Sequence, residues 1–358
     1  MKILTVIGAR PQFIKAAALS RVLRRDNEEI LVHTGQHYDA NMSDIFFDEL
    51  EIPRPDHNLG ISGGSHGSMT GRMIIALEEI LLAEKPDALL LFGDTNSTIS
   101  GAIAASKLHV PIIHVEAGVR LGTLENPEEV NRVVTDRLSA LHFCCTESSV
   151  EFLKKEGLSS TAHLVGDPMY DAFLFYRSRA PKISDIRLTS LDGGTVCVPE
   201  KYNYITCHRQ ENTQSPDALF EILSAVNSLS VPAVYPVHPR NRAMALSLCE
   251  QHGFENIIFC NPVGYLESIA LVSSACQVVT DSGGVQREAF FAGVQCVTVL
   301  DFVCWPETMV DGRNQLVRPD KADILEKLRA PMTVDESYKP FGDGHSCEKI
   351  CEIIAQTF

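Results

Sequence analysis

Short apolar runs alternate with longer amphipathic stretches along most of the chain. In the first half, apolar runs of strand length fall at residues 3–7, 30–33, 88–92, 112–115, 141–144 and 163–165. Helical spacing of apolar residues falls at 13–25, 69–82, 97–107 and 128–139. The second half has strand-like runs at 204–207, 233–237, 257–260, 278–280 and 296–300, with helices between them. Strands that alternate with helices in this way predict parallel, doubly wound sheets.

A polar stretch interrupts the alternation at residues 178–201, which contain Pro181, Gly193, Gly194 and Pro199. The chain of 358 residues is also longer than one hydrophobic core usually supports. We therefore predict an α/β protein with two Rossmann-like domains facing a cleft. The first domain is expected at residues 1–177 and the second at residues 202–345.

The composition indicates which partners and which cellular compartment suit the protein. The formal net charge of −15 argues against nucleic acid or an acidic membrane surface as a partner. Eleven cysteines are scattered along the chain without a Cys-x-x-Cys pair, which is typical of reduced thiols rather than of disulfides or a zinc site. The sequence has neither a signal-peptide pattern nor an apolar run of membrane-spanning length. We predict a cytoplasmic protein.

The first strand leads into a cationic loop that opens a helix. Gly8 gives the backbone freedom, and Pro11 stands where a helix begins. Backbone N–H groups and the helix dipole at such a turn suit a phosphate, to which Arg10 and Lys15 would add positive charge. A surface turn with two solvated basic residues fits this loop equally well.

Polar residues follow nearly every predicted strand. They occur in Gly8-Ala9-Arg10, His33-Thr34-Gly35-Gln36-His37, Gly93-Asp94-Thr95-Asn96, Glu116-Ala117-Gly118, Cys207-His208-Arg209, Val237-His238-Pro239-Arg240 and Asp281-Ser282-Gly283-Gly284. Single segments of this kind serve as helix caps, but ligands of open parallel sheets bind at the carboxyl ends of the strands. The whole set therefore favours a functional cleft.

The two halves of the chain place different kinds of charged residue after their strands. The first half places carboxylates at Asp94, Glu116, Glu128 and Glu129, which suit acid–base chemistry. The second half has cationic or titratable groups and a glycine loop before a helix, which suit a diphosphate. These groups are His208, Arg209, His238 and Arg240. Glu288, in the same helix, either accepts hydrogen bonds from ribose hydroxyls or complements the helix dipole.

Together these motifs resemble those of the non-hydrolysing UDP-N-acetylglucosamine 2-epimerases, and the match runs in order along nearly the whole chain. The Gly-Ala-Arg-Pro-Gln-Phe opening at residues 8–13 resembles the branch that also contains UDP-2,3-diacetamido-2,3-dideoxyglucuronate 2-epimerases. The resemblance implies the glycosyltransferase-B architecture, with a last helix at 346–358 that returns to the first domain. It further implies a homodimer that needs no metal and no nicotinamide cofactor.

The resemblance also assigns roles to residues. It implies a catalytic set of Asp94, Glu116, Glu128, His208 and Lys15. Contacts to the UDP-sugar substrate are implied for Arg10, Lys15, His208, Arg209, His238, Ser282, Gly283, Gly284 and Glu288. The implied reaction inverts carbon 2 of the sugar through elimination of UDP, a 2-acetamidoglucal and re-addition of UDP.

Several positions depart from the family pattern. Asp39 and Gln210 replace a glutamine and an arginine at positions that resemble an activator site, so we expect no allosteric activation by the substrate. The segment 121–126 differs from the usual loop, and Cys304 and Trp305 replace polar residues. Two other functions stay open: a glycosyltransferase, which would need an acceptor site, and a UDP-sugar-binding protein without catalysis.

Overall fold

The computed structural model describes residues 1–36, 47, 49–303 and 305–358 of the chain. These residues form two compact units. The first comprises Met1–Leu174 and Lys339–Phe358, and the second comprises Phe175–Tyr338. Among the described residues, every helix is too short or too polar to cross a lipid bilayer.

A seven-stranded parallel sheet lies at the centre of the first unit. Its strands are β1 Lys2–Ile7, β2 Glu28–His33, β3 His57–Asn58, β4 Ala88–Phe92, β5 Ile112–Val115, β6 Leu141–Cys144 and β7 Ala162–Leu164. Helices α1 Arg10–Leu23, α2 His66–Glu84, α3 Asn96–Lys107, α4 Pro127–Leu138, α5 Glu147–Lys155 and α6 Pro168–Arg177 follow in turn. The strand order is β3-β2-β1-β4-β5-β6-β7.

The apolar runs form strands because both faces of this sheet are covered. Leu89, Leu90 and Leu91 of β4 are each completely buried, as expected for a parallel strand between two helical layers. Gly101 of α3 lies so close to β4 that an added Cβ would be 2.8 Å from Leu91 Cδ2. Helix α3 therefore packs tightly on the strand whose carboxyl end carries Asp94.

The second unit contains a six-stranded parallel sheet and a two-stranded antiparallel sheet. The antiparallel strands are β8 Arg187–Thr189 and β9 Thr195–Cys197. The parallel strands are β10 Asn203–Thr206, β11 Ala233–Pro236, β12 Ile257–Cys260, β13 Val278–Thr280, β14 Cys296–Val299 and β15 Asn314–Val317. They are ordered β12-β11-β10-β13-β14-β15.

Six helices and several short turns complete the second unit. The helices are α7 Gln210–Thr213, α8 Pro216–Asn227, α9 Arg242–His252, α10 Tyr265–Ser274, α11 Gly283–Ala292 and α12 Lys321–Arg329. Short 3₁₀ turns cover Ser159–Thr161 in the first unit and Ile183–Asp185, Pro239–Asn241 and Pro306–Gly312 in the second. The last helix, α13 Ser346–Thr357, belongs to the first unit and contacts α1 there.

The limits of the units differ from the predicted domain limits in two places. Residues 178–201, expected to link the domains, lie in the second unit because Ile186 and Leu188 are buried in its core with Tyr202 and Tyr204. Residues 339–345, expected in the second domain, lie in the first unit. There the Phe341 carbonyl accepts the Asp167 N–H at 2.9 Å.

The strand orders confirm the predicted class of two Rossmann-like α/β units. In the first sheet, strand order reverses direction at β1 and β4, which pair directly. In the second sheet, it reverses at β10 and β13. Ligands of such sheets bind outside the carboxyl ends of the strands at this switch point. The segments that begin at Gly8, Gly93, Cys207 and Asp281 therefore lie at the expected positions.

Candidate active site

The turn between β1 and α1 is fixed by a side chain rather than left open for a ligand. Gln12 Oε1 accepts the backbone N–H groups of Gly8 and Ala9 at 2.8 and 3.0 Å. Gln12 Nε2 donates to the Phe92 carbonyl at 2.8 Å, which ties the turn to the end of β4. The two N–H groups that we expected to face a phosphate are thus already satisfied within the protein.

Lys15 and Glu116 form a buried ion pair at the carboxyl edge of the first sheet. Their side chains are only 3% and 10% exposed, respectively. Gly93 lies beside the pair, since a Cβ added to it would be 3.7 Å from Glu116 Oε1 and 3.8 Å from Lys15 Nζ. The structure therefore gives a carboxylate partner to Lys15, which was predicted both as a catalytic residue and as a substrate contact.

Glu116 itself has a strained backbone. Its φ of +69° is in the left-handed region, which costs a residue with a side chain about 1–3 kcal/mol. The Phe143 carbonyl accepts the N–H groups of both Glu116 and Ala117, at 3.0 and 3.1 Å. This contact with the end of β6 holds the strained residue, and such strain is found mostly at functional sites.

Arg132 organises the other carboxylates of the first unit. Its Nη2 donates to Asp94 Oδ2 at 2.5 Å, and its Nη1 donates to Glu129 Oε2 at 3.1 Å. The third carboxylate, on Glu128, lies 3.9 Å from Arg132 Nη2 and is 45% exposed. Asn131 Nδ2 also donates to the Asp94 carbonyl at 2.8 Å. The buried guanidinium of Arg132, on α4, thus lies close to the carboxylates of both Asp94 and Glu128.

A metal is a poor fit to the acidic groups near Glu116. The ligand atoms of Glu116, Cys145 and Asp167 lie within 4.8 Å of one another. The Lys15 ammonium already neutralises Glu116, and a divalent cation there would repel it. Asp167 Oδ1 is also engaged, accepting the Met169 N–H at 2.9 Å. The Lys15 ammonium is therefore a better partner for Glu116 than a divalent cation.

In the second unit, Asp281 organises the loop that follows β10. Its carboxylate accepts the backbone N–H groups of His208 and Arg209, each at 2.9 Å, and Asn212 Nδ2 at 3.2 Å. Asp281 Oδ1 also lies 3.1 Å from His208 Nδ1. Burial alone would raise the pKa of this carboxyl, but these hydrogen bonds and the His208 ring lower the pKa of Asp281 to about 2.

The helix after Asp281 begins at the predicted glycine loop. Helix α11 starts at Gly283, within that glycine loop, and Ser282 is its N-cap. Ser282 Oγ accepts the Val285 N–H at 3.3 Å. The first N–H groups of a helix, here those of Gly283 and Gly284, have no carbonyl partner within it. With the helix dipole they suit an anion such as a diphosphate.

Three of the predicted cationic or titratable residues of the second unit, His208, His238 and Arg209, make contacts that orient their side chains. The rings of His208 and His238 are 6.0 Å apart between centroids. His238 Nδ1 accepts the Arg240 N–H at 3.2 Å, which orients its ring. Arg209 Nε donates to the Asp281 carbonyl at 3.0 Å, and its guanidinium lies 5.2 Å from the Phe302 ring.

Two other predicted site residues, Glu288 and Arg10, lie in helices. Glu288 is buried in α11, where a carboxylate needs polar partners. Arg10 is the first residue of α1 and is half-buried.

Three organising residues were not among the predicted site residues. Arg132 follows Glu128 by four positions and Glu129 by three, a spacing that places all three on one helix face and was visible in the sequence. Gln12 and Asp281 gave no such signal. Their partners come from distant segments that only the sheet topology brings together.

Some predicted residues lie outside the described residues. These are His37 and Asp39, Cys304, and the side chain of Gln210. Expectations that depend on them, including the absence of an activator site, therefore stay predictions.

Two doubly wound sheets with polar side chains at their switch points define a nucleotide-binding type of α/β protein. Comparison with known proteins narrows this class. The sequence profile of the UDP-N-acetylglucosamine 2-epimerase family matches residues 21–355. The chain belongs to the UDP-N-acetylglucosamine 2-epimerase family, which confirms the resemblance found in the sequence.

Three relatives show the extent of the similarity. The chain is 46% identical to the UDP-2,3-diacetamido-2,3-dideoxy-D-glucuronate 2-epimerase of Pseudomonas aeruginosa, over 99% of this chain and 100% of that protein. It is 47% identical to a UDP-N-acetylglucosamine 2-epimerase homolog of Methanococcus maripaludis, over 99% of each chain. The crystal structure of Methanocaldococcus jannaschii UDP-GlcNAc 2-epimerase in complex with UDP-GlcNAc and UDP matches with a TM-score of 0.85 and 34% identity, covering 99% of this chain and 100% of that chain.

Proposed function

We propose that this protein is a non-hydrolysing 2-epimerase that interconverts UDP-N-acetylglucosamine and UDP-N-acetylmannosamine. Membership of the family supports the reaction type. The observation that carries the proposal is the buried Lys15–Glu116 pair beside Gly93, with Asp94 held by Arg132 at the next strand end. A protein that only bound UDP-sugar would not need charged acid–base groups held in this way.

The chemistry explains why such groups are needed. The proton on carbon 2 of the sugar has no neighbouring carbonyl, so a carboxylate of ordinary basicity cannot remove it directly. Cleavage of the bond between the anomeric carbon and UDP leaves positive charge on the ring, which acidifies carbon 2 and permits elimination to a 2-acetamidoglucal. Re-addition of UDP, with protonation from the opposite face, gives the epimer. The reaction thus needs acid–base groups and a stabilised diphosphate leaving group.

The first unit supplies the acid–base groups in this proposal. Asp94, Glu116 and Glu128 handle protons and the positive charge on the ring. Lys15 acts through Glu116: its ammonium fixes the carboxylate and holds a mobile proton next to it. Arg132 holds the Asp94 carboxylate in position.

The second unit supplies the diphosphate site in this proposal. His208 lies beside Asp281 and donates to a phosphate oxygen, with Arg209 and His238 adding polar contacts. The N–H groups of Gly283 and Gly284, together with Ser282, bind the diphosphate at the start of α11. Glu288 accepts from the ribose hydroxyls, and Arg10 of the first unit contacts substrate.

Exchange of hydrogen at carbon 2 tests the reaction. The protein is incubated with UDP-N-acetylglucosamine in heavy water, and the products are followed by NMR. We expect deuterium at carbon 2 in both epimers and a mixture that contains UDP-N-acetylmannosamine. Release of free sugar with UDP would indicate a hydrolase, and no exchange would exclude this substrate. Activity in EDTA tests the proposed independence from metal.

A second substrate is favoured by one specific observation. The Pseudomonas aeruginosa relative, 46% identical, is a UDP-2,3-diacetamido-2,3-dideoxy-D-glucuronate 2-epimerase, and the chain opens with the sequence of that branch. The same deuterium experiment with that substrate distinguishes the two. A kcat/KM higher for the diacetamido uronate than for UDP-N-acetylglucosamine would assign the protein to the alternative substrate.

We further propose that the protein acts as a homodimer in the cytoplasm. The dimer follows from the family resemblance, and sedimentation equilibrium of the full chain tests it. Cys144, Cys296 and Cys347 are buried thiols without a disulfide partner in the described part of the chain, which supports a reducing compartment. UDP-sugar is the only partner we propose.

A further inference from the structure

A buried histidine behind the carboxylates of the first unit has hydrogen-bond acceptors on both sides of its ring. His114 of β5 is completely buried. Its Nδ1 is 2.6 Å from Asp136 Oδ1, and its Nε2 is 2.7 Å from the carbonyl oxygen of Gly93. A neutral imidazole carries only one N–H and would turn a lone pair toward one of these oxygens. Two good hydrogen bonds require a proton on each ring nitrogen.

We propose that His114 is a positioning residue that donates from both ring nitrogens, as an imidazolium, and holds the peptide between Gly93 and Asp94 through its Nε2–H. This places a cation behind the carboxylates proposed to handle protons, without contact between His114 and substrate.

Charge balance around the ring supports the proposal. Asp136 of α4 and Arg120 form an ion pair at 2.7 Å, and Arg120 also binds Glu156 through two bonds of 2.8 Å. The carboxylates of Asp136 and of Glu156, which is 30% exposed, together with the Arg120 guanidinium carry a net negative charge, which a charged His114 cancels. Burial disfavours an uncompensated charge, so the neutral sum favours the imidazolium.

The proton lies on the ring and not on the carboxyl of Asp136. The Asp136 Oδ2 atom accepts both from Arg120 and from the Gly118 N–H, the latter at 3.1 Å. Burial would raise the pKa of this carboxyl, but His114 and Arg120 outweigh burial and lower the pKa of Asp136. A protonated Asp136 would leave the Arg120 guanidinium against a neutral group.

His142 provides a matched comparison. It lies on β6 directly opposite His114 and is equally buried. Its Nε2 lies 2.7 Å from the Asp136 carbonyl, and its Nδ1 lies 2.9 Å from Thr161 Oγ1. A hydroxyl can donate as well as accept, so a neutral His142 satisfies both contacts. Burial lowers the pKa of His142, and the neighbouring His114 charge adds to this effect.

The other titratable groups around His114 do not change this assignment. Cys144, on β6, is buried, which raises the pKa of its thiol to about 12 and keeps it neutral. Lys15 and Glu116 neutralise each other in their own ion pair. The Gly93 peptide is therefore the element that the His114 charge acts on. Gly93 has a φ of +61°, a conformation that glycine adopts without strain.

The protonation state can be measured without substrate. In the full-length protein labelled with ¹⁵N-histidine, two-bond ¹H–¹⁵N correlation spectra distinguish protonated from unprotonated ring nitrogens. We expect a proton on each ring nitrogen of His114 at about pH 7, one for each of its two acceptors. His142 should show one unprotonated nitrogen at the same pH. The signals are assigned by their loss in H114Q and in H142Q.

Positioning is tested with the same two variants, since a glutamine in place of His114 cannot donate to both acceptors. We expect the amide signal of Asp94, observed with ¹⁵N-aspartate labelling, to shift in H114Q and not in H142Q. The epimerase readout rests on the proposed function: kcat should fall about a hundredfold in H114Q, while KM and UDP affinity change less than about twofold. H142Q should keep kcat within about threefold.

Two results would overturn the proposal. One is an unprotonated His114 ring nitrogen at about pH 7. The other is a folded H114Q protein in which the Asp94 amide signal is unmoved. If the wild-type protein fails to epimerise any UDP-sugar, the proposed function fails, but both NMR results still decide the role of His114.

Discussion

The His208 ring lies 3.1 Å from the Asp281 carboxylate through Nδ1, and the His208 backbone N–H donates to the same group at 2.9 Å. One buried carboxylate thus fixes both the main chain and the side chain of this histidine. Because Nδ1 is committed to Asp281, the Nε2 atom is the nitrogen left for a ligand. The geometry resembles the orientation of catalytic histidines by carboxylates in other enzymes.

The Asp281 carboxylate should make stability depend on pH in acid. The pKa of Asp281 is lowered from 3.8 to about 2. Its contribution to the free energy of unfolding is therefore complete above about pH 4 and is lost as the pH falls from about 4 to about 2. The shift corresponds to about 2 kcal/mol of unfolding free energy. Urea unfolding of the wild type and of Asp281→Asn should therefore differ most near neutral pH, and the two should converge in acid.

The matched control for this measurement is Asp217→Asn. Asp217 is exposed in the first turn of α8, where loss of its charge should leave the acid dependence of the wild type unchanged. A constant difference between wild type and Asp281→Asn from about pH 7 to about pH 2 would contradict the linkage.

The two carboxylates at neighbouring strand ends of the first unit should matter for turnover and not for UDP affinity. We expect Asp94→Asn and Glu116→Gln each to lower kcat by about a hundredfold or more, since acid–base groups act mainly in the transition state. UDP affinity, measured by calorimetry, should stay within about threefold. The control is Glu125, an exposed residue just before α4 in the sequence. Glu125→Gln should keep the kcat and the UDP affinity of the wild type. Near-normal turnover in either active-site variant would place the acid–base groups elsewhere.

Much of this architecture could be predicted from the sequence, and the strands that were not predicted have physical reasons for it. Strands β4, β5 and β6 were predicted to the residue because every residue in them is buried and all but His114 and His142 are apolar. Strand β3, of two residues, and β15 were missed, since β3 is too short and β15 too polar to give such a run.

The site was harder to predict than the sheets. Both Glu116 and Lys15 were predicted as site residues, but their pairing was not, because only the parallel pairing of strands brings the two side chains together. Gln12 was missed for the same reason: its acceptor on Phe92 belongs to the next strand of the sheet. Motifs at strand ends predict where a site lies, whereas the pairing of charges within it depends on topology.

The proposed diphosphate contacts should appear as losses of UDP affinity. A charge-assisted hydrogen bond to a buried anion contributes about 1.5–3 kcal/mol. Arg10→Ala and His208→Ala should therefore each weaken UDP binding by about tenfold to a hundredfold, as measured by calorimetry. Arg318→Ala, at an exposed position, serves as the control for loss of a positive charge. Since the N–H groups near Arg10 are bound by Gln12, unchanged affinity in Arg10→Ala alone would assign that loop to structure.

The Lys15–Glu116 pair should show strong coupling in a double-mutant cycle. Each side chain is nearly buried, so Lys15→Met removes the ammonium beside the Glu116 carboxylate, and Glu116→Gln removes the carboxylate beside the Lys15 ammonium. Removal of one partner of a buried pair costs about 3–5 kcal/mol, whereas removal of both charges is often close to neutral. The double variant should therefore unfold at higher urea concentration than either single variant. Additive losses in the double variant would mean that the two groups do not interact in solution, and the assignment of Lys15 to a phosphate would then be favoured again.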